Sequence, residues 1–334
     1  MATLSTAALT LLEWAKRLDP NGKVADIAEL LTQTNEILLD MTFIEGNLPT
    51  GHRTTIRTGL PAVYWRLLNQ GIAPSKSTTA QIDEQAGMLE AWSEVDVDLA
   101  ELGGNVSAVR LSEARGFLEA MNQEMAATLF YGNGSLAAEE FNGLAVRYSS
   151  LTAAASGANV VDGGSSGSST NASMWVVAWS PETVFGLFPQ GSKAGIFHED
   201  LGRVTVEVTA GVAGNRMRAY QDHFQWKAGL CVKDWRYVVR IANIDIADLD
   251  AAPTTAVLIP KLEDAVERLP NALGSPVIYC NRSIRKRLRR EARISVGAGG
   301  GITYDNVMGK RIMNFGDIPI RLCDALLNTE ATVS

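Results

Sequence analysis

Apolar positions recur at three- and four-residue spacing from Ala114 through Phe117, Leu118, Met121 and Met125 to Leu129. That spacing lines one face of a helix. Ser112 stands where an N-cap belongs, with Glu113 in the first turn, where the helix dipole favours negative charge. Gly132 and Gly134 offer the left-handed residue that commonly ends a helix. The pattern predicts a helix of roughly 18 residues, about 27 Å long at 1.5 Å per residue. The segment before it is polar and punctuated by Gly and Pro, and strand-like segments dominate after it.

Along residues 1–45, Leu4, Ala8, Leu11, Ala15 and Leu18 form a narrow apolar stripe, Asp19 to Gly22 a turn, and Val24 to Leu31 a second short helical run. Neither run is wide enough for a core, so this arm must lie on its own body or on a neighbour. Thr54–Thr58 and Gln81–Ser93 read as two strands of a long excursion. A two-stranded ribbon is marginal in water, yet Val63, Tyr64, Trp65, Leu67 and Leu68 crowd its tip. An exposed apolar tip predicts packing onto another subunit; the alternative is a hairpin folded over its own domain. From Leu89 to Ala100, Leu89, Ala91, Val95, Val97 and Leu99 alternate with acidic residues, a strand with one buried face.

Beyond the helix, 149–173 is Gly/Ser-rich and reads as a mobile surface loop. Trp175–Ala178 reads as a buried strand, Ser180–Thr183 as the cap of a short helical turn, and Arg203–Thr209 as an antiparallel strand that turns at Gly211 and Gly214. Two or more strands are expected over Tyr220–Ile246. Residues 247–325 read as an α/β unit. It holds a helix through Leu258, Leu262, Ala265 and Leu269, with Pro260 in its first turn where a missing N–H costs nothing. A strand Pro276–Cys280 comes next, then a basic helix capped by Asn281 or Ser283 with Ile284 and Leu288 inward, and a last strand through Ile318, Ile320 and Leu322.

The 334 residues are 46% hydrophobic with a net charge of −7. That suffices for one large or two medium domains and does not invite phosphate backbones. No apolar run reaches membrane-spanning length, and the N-terminus carries no secretory leader pattern. Cys231, Cys280 and Cys323 sit far apart in apolar runs and read as reduced core thiols, with no close Cys/His pair for a metal. The cations from Arg282 to Arg293 surround most of their helix without interleaved aromatics. They suit a solvated helix or a contact with another copy better than a nucleic-acid reader, which stays as the alternative function. The glycine run near 297–301 lacks the Lys-Ser/Thr of a phosphate loop. His52, His198 and His223 form no metal-spaced pair. His198-Glu199-Asp200 reads as a solvated cluster and Asp222-His223 as strand packing. No catalytic, cofactor-binding or metal residue is assigned, and an enzyme is not expected.

The chain resembles the major capsid proteins of tailed double-stranded DNA bacteriophages, the Hong Kong 97-like fold. The stretches that carry the likeness are RTGLPAVYWRLLNQGIAPSKSTT (57–79), LFYGNG and FNGLA (129–145), WVVAWSPETVFGLFPQGSKAGI (175–196), DHFQWKAGLCVKDWRYVVRIANID (222–245) and FGDIPIRLCDALLNTE (315–330). The resemblance implies an α+β chain: an N-terminal arm (1–45), an extended β-ribbon loop (46–96) and a peripheral domain (97–246). The peripheral domain would hold a spine helix near 112–131 and the loop 149–173. A central α/β domain (247–325) and a C-terminal tail (326–334) complete it. It implies self-assembly into pentameric and hexameric capsomers of an icosahedral head shell in the virion, built in the host bacterial cytoplasm. Partners implied are a separate scaffolding protein, since 1–45 is too short and apolar to be a built-in one, a portal protein and possible decoration (cement) proteins, with no membrane and no sequence-specific nucleic-acid binding. Leu4, Leu11, Leu18, Tyr64, Trp65, Arg66, Lys76, Arg285 and Arg289 are the expected intersubunit contacts. Some family members cross-link a loop lysine to a neighbour's asparagine. Lys76 lies in the extended loop, but no partner asparagine stands out and cross-linking is not expected.

Overall fold

A helix running from Val106 to Tyr131 is the longest in the chain's described residues. It begins six residues earlier than the apolar period suggests, because Asn105 is the cap: its side-chain oxygen accepts from Ala108 N at 3.1 Å, and Ser112 lies inside the helix. At 1.5 Å per residue it spans about 39 Å. Met121, Met125, Leu129 and Phe130 are buried, while Leu118 stays partly exposed. Gly132 does come directly after the helix, but with φ −51° it is not left-handed. A Cβ there would stand 2.5 Å from the Phe141 carbonyl oxygen, so glycine is needed for close approach of two chain segments and not for handedness.

The computed structural model describes residues 32–334, apart from 103, 165–169, 208–215, 252–256, 271–272, 295–301 and 308–309. The expected arm stripe, the turn Asp19–Gly22, the run Val24–Leu31, the turn at Gly211 and Gly214 and the glycine run 297–301 lie outside these. The described end of the arm rests on its own chain. Gln33 N donates to Glu119 on the spine helix (2.8 Å), Asn35 bridges to Cys323, and a short helix Ile37–Asp40 buries Ile37.

The strands, in chain order, are β1 (Phe43–Glu45), β2 (Gly51–Gly59), β3 (Thr78–Asp96), β4 (Val160–Asp162), β5 (Asn171–Trp179), β6 (Val184–Phe188), β7 (Ile196–Glu207), β8 (Arg216–Val232), β9 (Val238–Asp245), β10 (Ser275–Cys280), β11 (Ile302–Val307), β12 (Lys310–Phe315) and β13 (Ile318–Leu322). Their main path is β11-β12-β13-β10-β5-β6-β8-β3-β2. β9 joins β5 to β4, β7 pairs with β8, and β1 with β6. The final strand finds its upstream partner in β10, to which it runs parallel.

β5, β9 and β10 are buried on both faces. Trp175, Val177 and Tyr279 face the spine helix. Val176, Val239, Ile241 and Ile278 face the helices Leu258–Glu267 and Arg282–Ile294. Two-sided burial is why these strands read as continuous apolar runs, where half-buried strands alternate. Three expectations differ. The alternation from Leu89 ends as strand at Asp96, and Val97–Leu102 is a short helix. Ser180–Thr183 is a tight turn into β6, with Ser180 N donating to Val184 O. The stretch 149–173 is not all surface loop. Asn159, Val160, Val161, Asn171 and Ser173 are buried, and only 165–169 fall outside the described residues.

The C-terminal residues strap the sheet to the helices. Glu330 is buried and accepts from Arg240 Nη2 at 2.7 Å, from Tyr131 OH at 2.6 Å and from Ser173 Oγ. Arg240 also donates to the Tyr148 carbonyl (2.9 Å) and lies over the Trp175 ring. Burial beside the Glu330 carboxylate pushes the Tyr131 phenol well above its ordinary pKa.

These contacts set the cost of removing them. Arg240→Met should lower the folding stability of the soluble chain by about 3–5 kcal/mol, because it leaves Glu330 buried and unpaired; denaturant unfolding by circular dichroism measures it. Asn105→Ala should cost about 1 kcal/mol through loss of the helix cap, read in the same assay.

Candidate intersubunit surfaces

The ribbon is built as its sequence dictates. β2 and β3 pair antiparallel from Gly51↔Gln85 to Gly59↔Thr78, with a bulge between Arg57 and Gly59. Arg53 and Asp83 form a two-pronged cross-strand pair (2.6 and 2.7 Å). It is exposed, so it contributes little to stability. At the neck, Thr58 Oγ1 donates to Thr78 Oγ1 (3.1 Å). Beyond it the tip holds itself with a turn from Leu67 to Gln70, where Asn69 has φ +67°, and with Ser75 Oγ donating to the Ala62 carbonyl (2.7 Å). Leu60, Val63, Tyr64, Trp65, Leu67 and Leu68 are all exposed, Trp65 fully. Arg66 and Lys76 are exposed beside them. The ribbon therefore projects, and within this chain it does not fold back over its own domain.

What fixes the ribbon is its root. Glu84 is buried and receives both Arg147 guanidinium nitrogens at 2.6 Å. Arg147 ends a short helix, Leu144–Arg147, and also reaches the Asn142 carbonyl. Gly51 crosses β3 so closely that a Cβ would stand 1.9 Å from the Glu84 carbonyl oxygen. Nothing in the sequence singles out Glu84, because it sits in a polar run. Its only signal is a carboxylate at an inward position of β3, which becomes meaningful once Arg147 is known to face it.

The basic helix is a different surface. Arg289 is exposed and Arg285 half-buried. Arg282 pairs with Asp324 (2.7 Å). Arg287 and Glu291 are buried against each other at 2.9 Å, and Glu291 Oε2 accepts from Leu258 N and Ile259 N (2.9 and 3.1 Å). The glutamate thus caps the neighbouring helix, whose own Val257 has no capping oxygen. The basic helix is therefore not solvated all round. Asn281 is its cap, accepting from Ile284 N (2.9 Å). Of the expected contact residues, Tyr64, Trp65, Arg66 and Lys76 share the ribbon tip, Arg285 and Arg289 share this helix, and Leu4, Leu11 and Leu18 lie outside the described residues.

His198-Glu199-Asp200 is tied into the body. His198 Nε2 lies 2.9 Å from Asp222, and Arg110 on the spine helix contacts Asp222 (2.7 Å) and Asp200 (2.5 Å). Hydrogen bonds to Arg110 hold the Asp200 carboxyl below its ordinary pKa. His223 stacks on Trp92 with ring centroids 4.2 Å apart. The three cysteines are free and buried. Desolvation pushes Cys231 up to about 11 and Cys280 and Cys323 to about 12, which suits inert core thiols. No group of three metal-ligating side chains occurs among the described residues. No helix among them is long and apolar enough to cross a membrane.

A chain in a solved structure of bacteriophage epsilon15 is 33% identical, with 100% of this chain and 99% of that one aligned at a TM-score of 0.79. The capsids of bacteriophage JBD30 (12% identical, 89% and 92% covered, TM-score 0.46) and of a native GTA particle (10%, 65% and 92%, 0.46) are looser likenesses. No curated protein matches the chain. The family described as Major capsid protein GP7 matches residues 19–334. This chain, with its Hong Kong 97-like fold, belongs to that family: it is a major capsid protein, a structural subunit of a phage head shell.

Proposed function

We propose that the ribbon tip is the main strap between neighbouring subunits of the shell, with Tyr64, Trp65 and Arg66 as its gripping residues. The observation that carries this is the fully exposed Trp65 amid five other exposed apolar residues on a ribbon rooted by the pairing of buried Glu84 with half-buried Arg147. A soluble chain has no physical reason to hold such a patch in water unless a partner covers it. Aromatic and arginine side chains are the residues that concentrate binding energy at interfaces.

In this reading the arm (1–45) and ribbon (46–96) are the straps, 97–246 is the peripheral body around the spine helix, and 247–325 is the central body. Arg285 and Arg289 supply a second contact between copies, with carboxylate partners, and Leu4, Leu11 and Leu18 a third. The capsomers are pentamers and hexamers, aided by a separate scaffolding protein, a portal and, on some shells, decoration proteins. The chain's role is geometric and not catalytic. Each contact is modest alone, because a closed shell needs contacts that can be corrected during growth.

Trp65→Ala should leave the circular dichroism and unfolding midpoint of the soluble chain unchanged while particles become absent or misshapen by electron microscopy; normal particles would remove the strap assignment. Purified particles, boiled and run on a denaturing gel, should give a single monomer band. Higher bands that disappear in Lys76→Arg would instead make Lys76 a covalent cross-linking residue.

A further inference from the structure

The helices Leu258–Glu267 and Arg282–Ile294 turn opposite charges to solvent. On the basic helix Ile284, Arg287, Leu288 and Glu291 are buried, while Arg282, Lys286, Arg289, Arg290 and Arg293 are exposed. With 3.6 residues per turn these exposed cations share one side of the helix. Arg282 and Arg290 have partners in the chain. Lys286, Arg289 and Arg293 have no ion-pair partner among the described residues, and the buried Nε of Arg285 beside them has no hydrogen-bond partner there. On the other helix Leu258, Ile259, Leu262 and Ala265 are buried. Its exposed side carries Glu263, Asp264 and Glu267, again without ion-pair partners among the described residues. Arg268, just past its end, is turned inward and donates to the carbonyls of Ala158 and Val160 (2.6 and 3.1 Å).

Within one chain the two stripes do not neutralise each other. Glu291 bonds to Leu258 N and Ile259 N and holds the helices side by side. Both turn their apolar sides into the same core, so both charged sides face outward, and no ion pair joins them among the described residues. Glu263 with Glu267, and Arg289 with Arg293, are like-charge pairs four residues apart, an arrangement that destabilises a helix in water. A stripe of opposite sign and equal spacing relieves both.

We infer that the exposed side of the basic helix docks a second copy of this chain through that copy's Glu263, Asp264 and Glu267. This rests on the basic helix being a contact between copies, and it names the carboxylates. The two stripes are different patches, so every copy offers one of each and the contact can repeat from copy to copy. Exposed ion pairs are individually weak, whereas complementary charge fixes register and turns away wrong partners. The contact therefore selects how two copies meet and adds little holding strength.

Charge exchange tests the pairing. Arg289→Glu with Arg293→Glu should cut particle yield at least about tenfold, because like charges then face each other. Glu263→Arg with Glu267→Arg should do the same, and the four changes together should restore the yield, with each soluble chain folded by circular dichroism. Loss without rescue overturns the carboxylate assignment. If the arginine reversals abolish particles while the glutamate reversals are silent, the basic helix stands as a contact and its partner lies elsewhere. If the arginine reversals leave particles normal, both readings fall, and particles that then lack packaged DNA would make nucleic acid the occupant. Should a reversal variant fail to fold, cysteines decide, since the native ones are buried. Mixed particles of Arg289→Cys and Glu267→Cys chains, once oxidised, should give linked pairs on non-reducing gels that neither variant gives alone; monomer only overturns the pairing.

Discussion

A two-stranded ribbon has no core of its own, and that constraint explains much of this architecture. Nothing within β2 and β3 can hold their direction, so the direction is fixed at the root. There the buried Glu84 receives the Arg147 guanidinium through two 2.6 Å contacts. The next residue, Tyr148, is buried and gives its carbonyl to Arg240, and Arg240 is locked to Glu330. The dipeptide Arg147–Tyr148 therefore couples the projecting ribbon to the buried Arg240–Glu330 pair. The close crossings at Gly51 and Gly132 serve the same end, since both bring backbone segments together at this root. Bidentate pairs suit the task because they fix orientation as well as distance.

The division between rigid body and bare tip suits assembly. Strands buried on both faces and a helix of about 39 Å hold the geometry of the body. The tip has few internal contacts and exposes its apolar residues, so little within this chain stabilises it. The body's ion pairs fall in two classes. Exposed pairs such as Arg53–Asp83 contribute little. Arg240–Glu330 and Arg287–Glu291 are buried, and losing one member of either leaves an uncompensated charge. Such pairs specify one arrangement, and a repeating shell requires every subunit to adopt the same one.

The elements legible in the sequence are those whose signal is local. The three-to-four period of the spine helix, the alternation along β3, the apolar runs of β5, β9 and β10, and the exposed tip all arise from neighbouring residues. What stays hidden depends on distant partners. The helix start is hidden because its first two turns carry little apolar period, and Asn105 is visible as a cap only once Ala108 is known to be helical. Arg287 and Glu291 look like an ordinary solvated i,i+4 pair. Their burial arises from the uncapped start of the helix at Leu258, 33 residues away along the chain. Glu330 lies in a tail with no period, and its role depends on Arg240, 90 residues upstream. The exposure of Tyr64 and Trp65 is legible for the opposite reason: a large aromatic in a polar, Gly- and Pro-punctuated segment stands out without any partner within the chain.

The same distinction decides how to read the arginines of the basic helix. Counted along the sequence they look like a phosphate-binding face, yet a cation contributes to such a face only if its charge is free to meet solvent. Arg287 is buried with its own carboxylate partner, and Arg282 is paired with Asp324. Arg285 is half-buried, and Arg290 also has a partner. The positive field is thus smaller than the composition suggests and rests on the exposed Lys286, Arg289 and Arg293, on a chain whose net charge is −7. Carboxylates placed beside these arginines turn much of the helix's charge inward, to hold the subunit together.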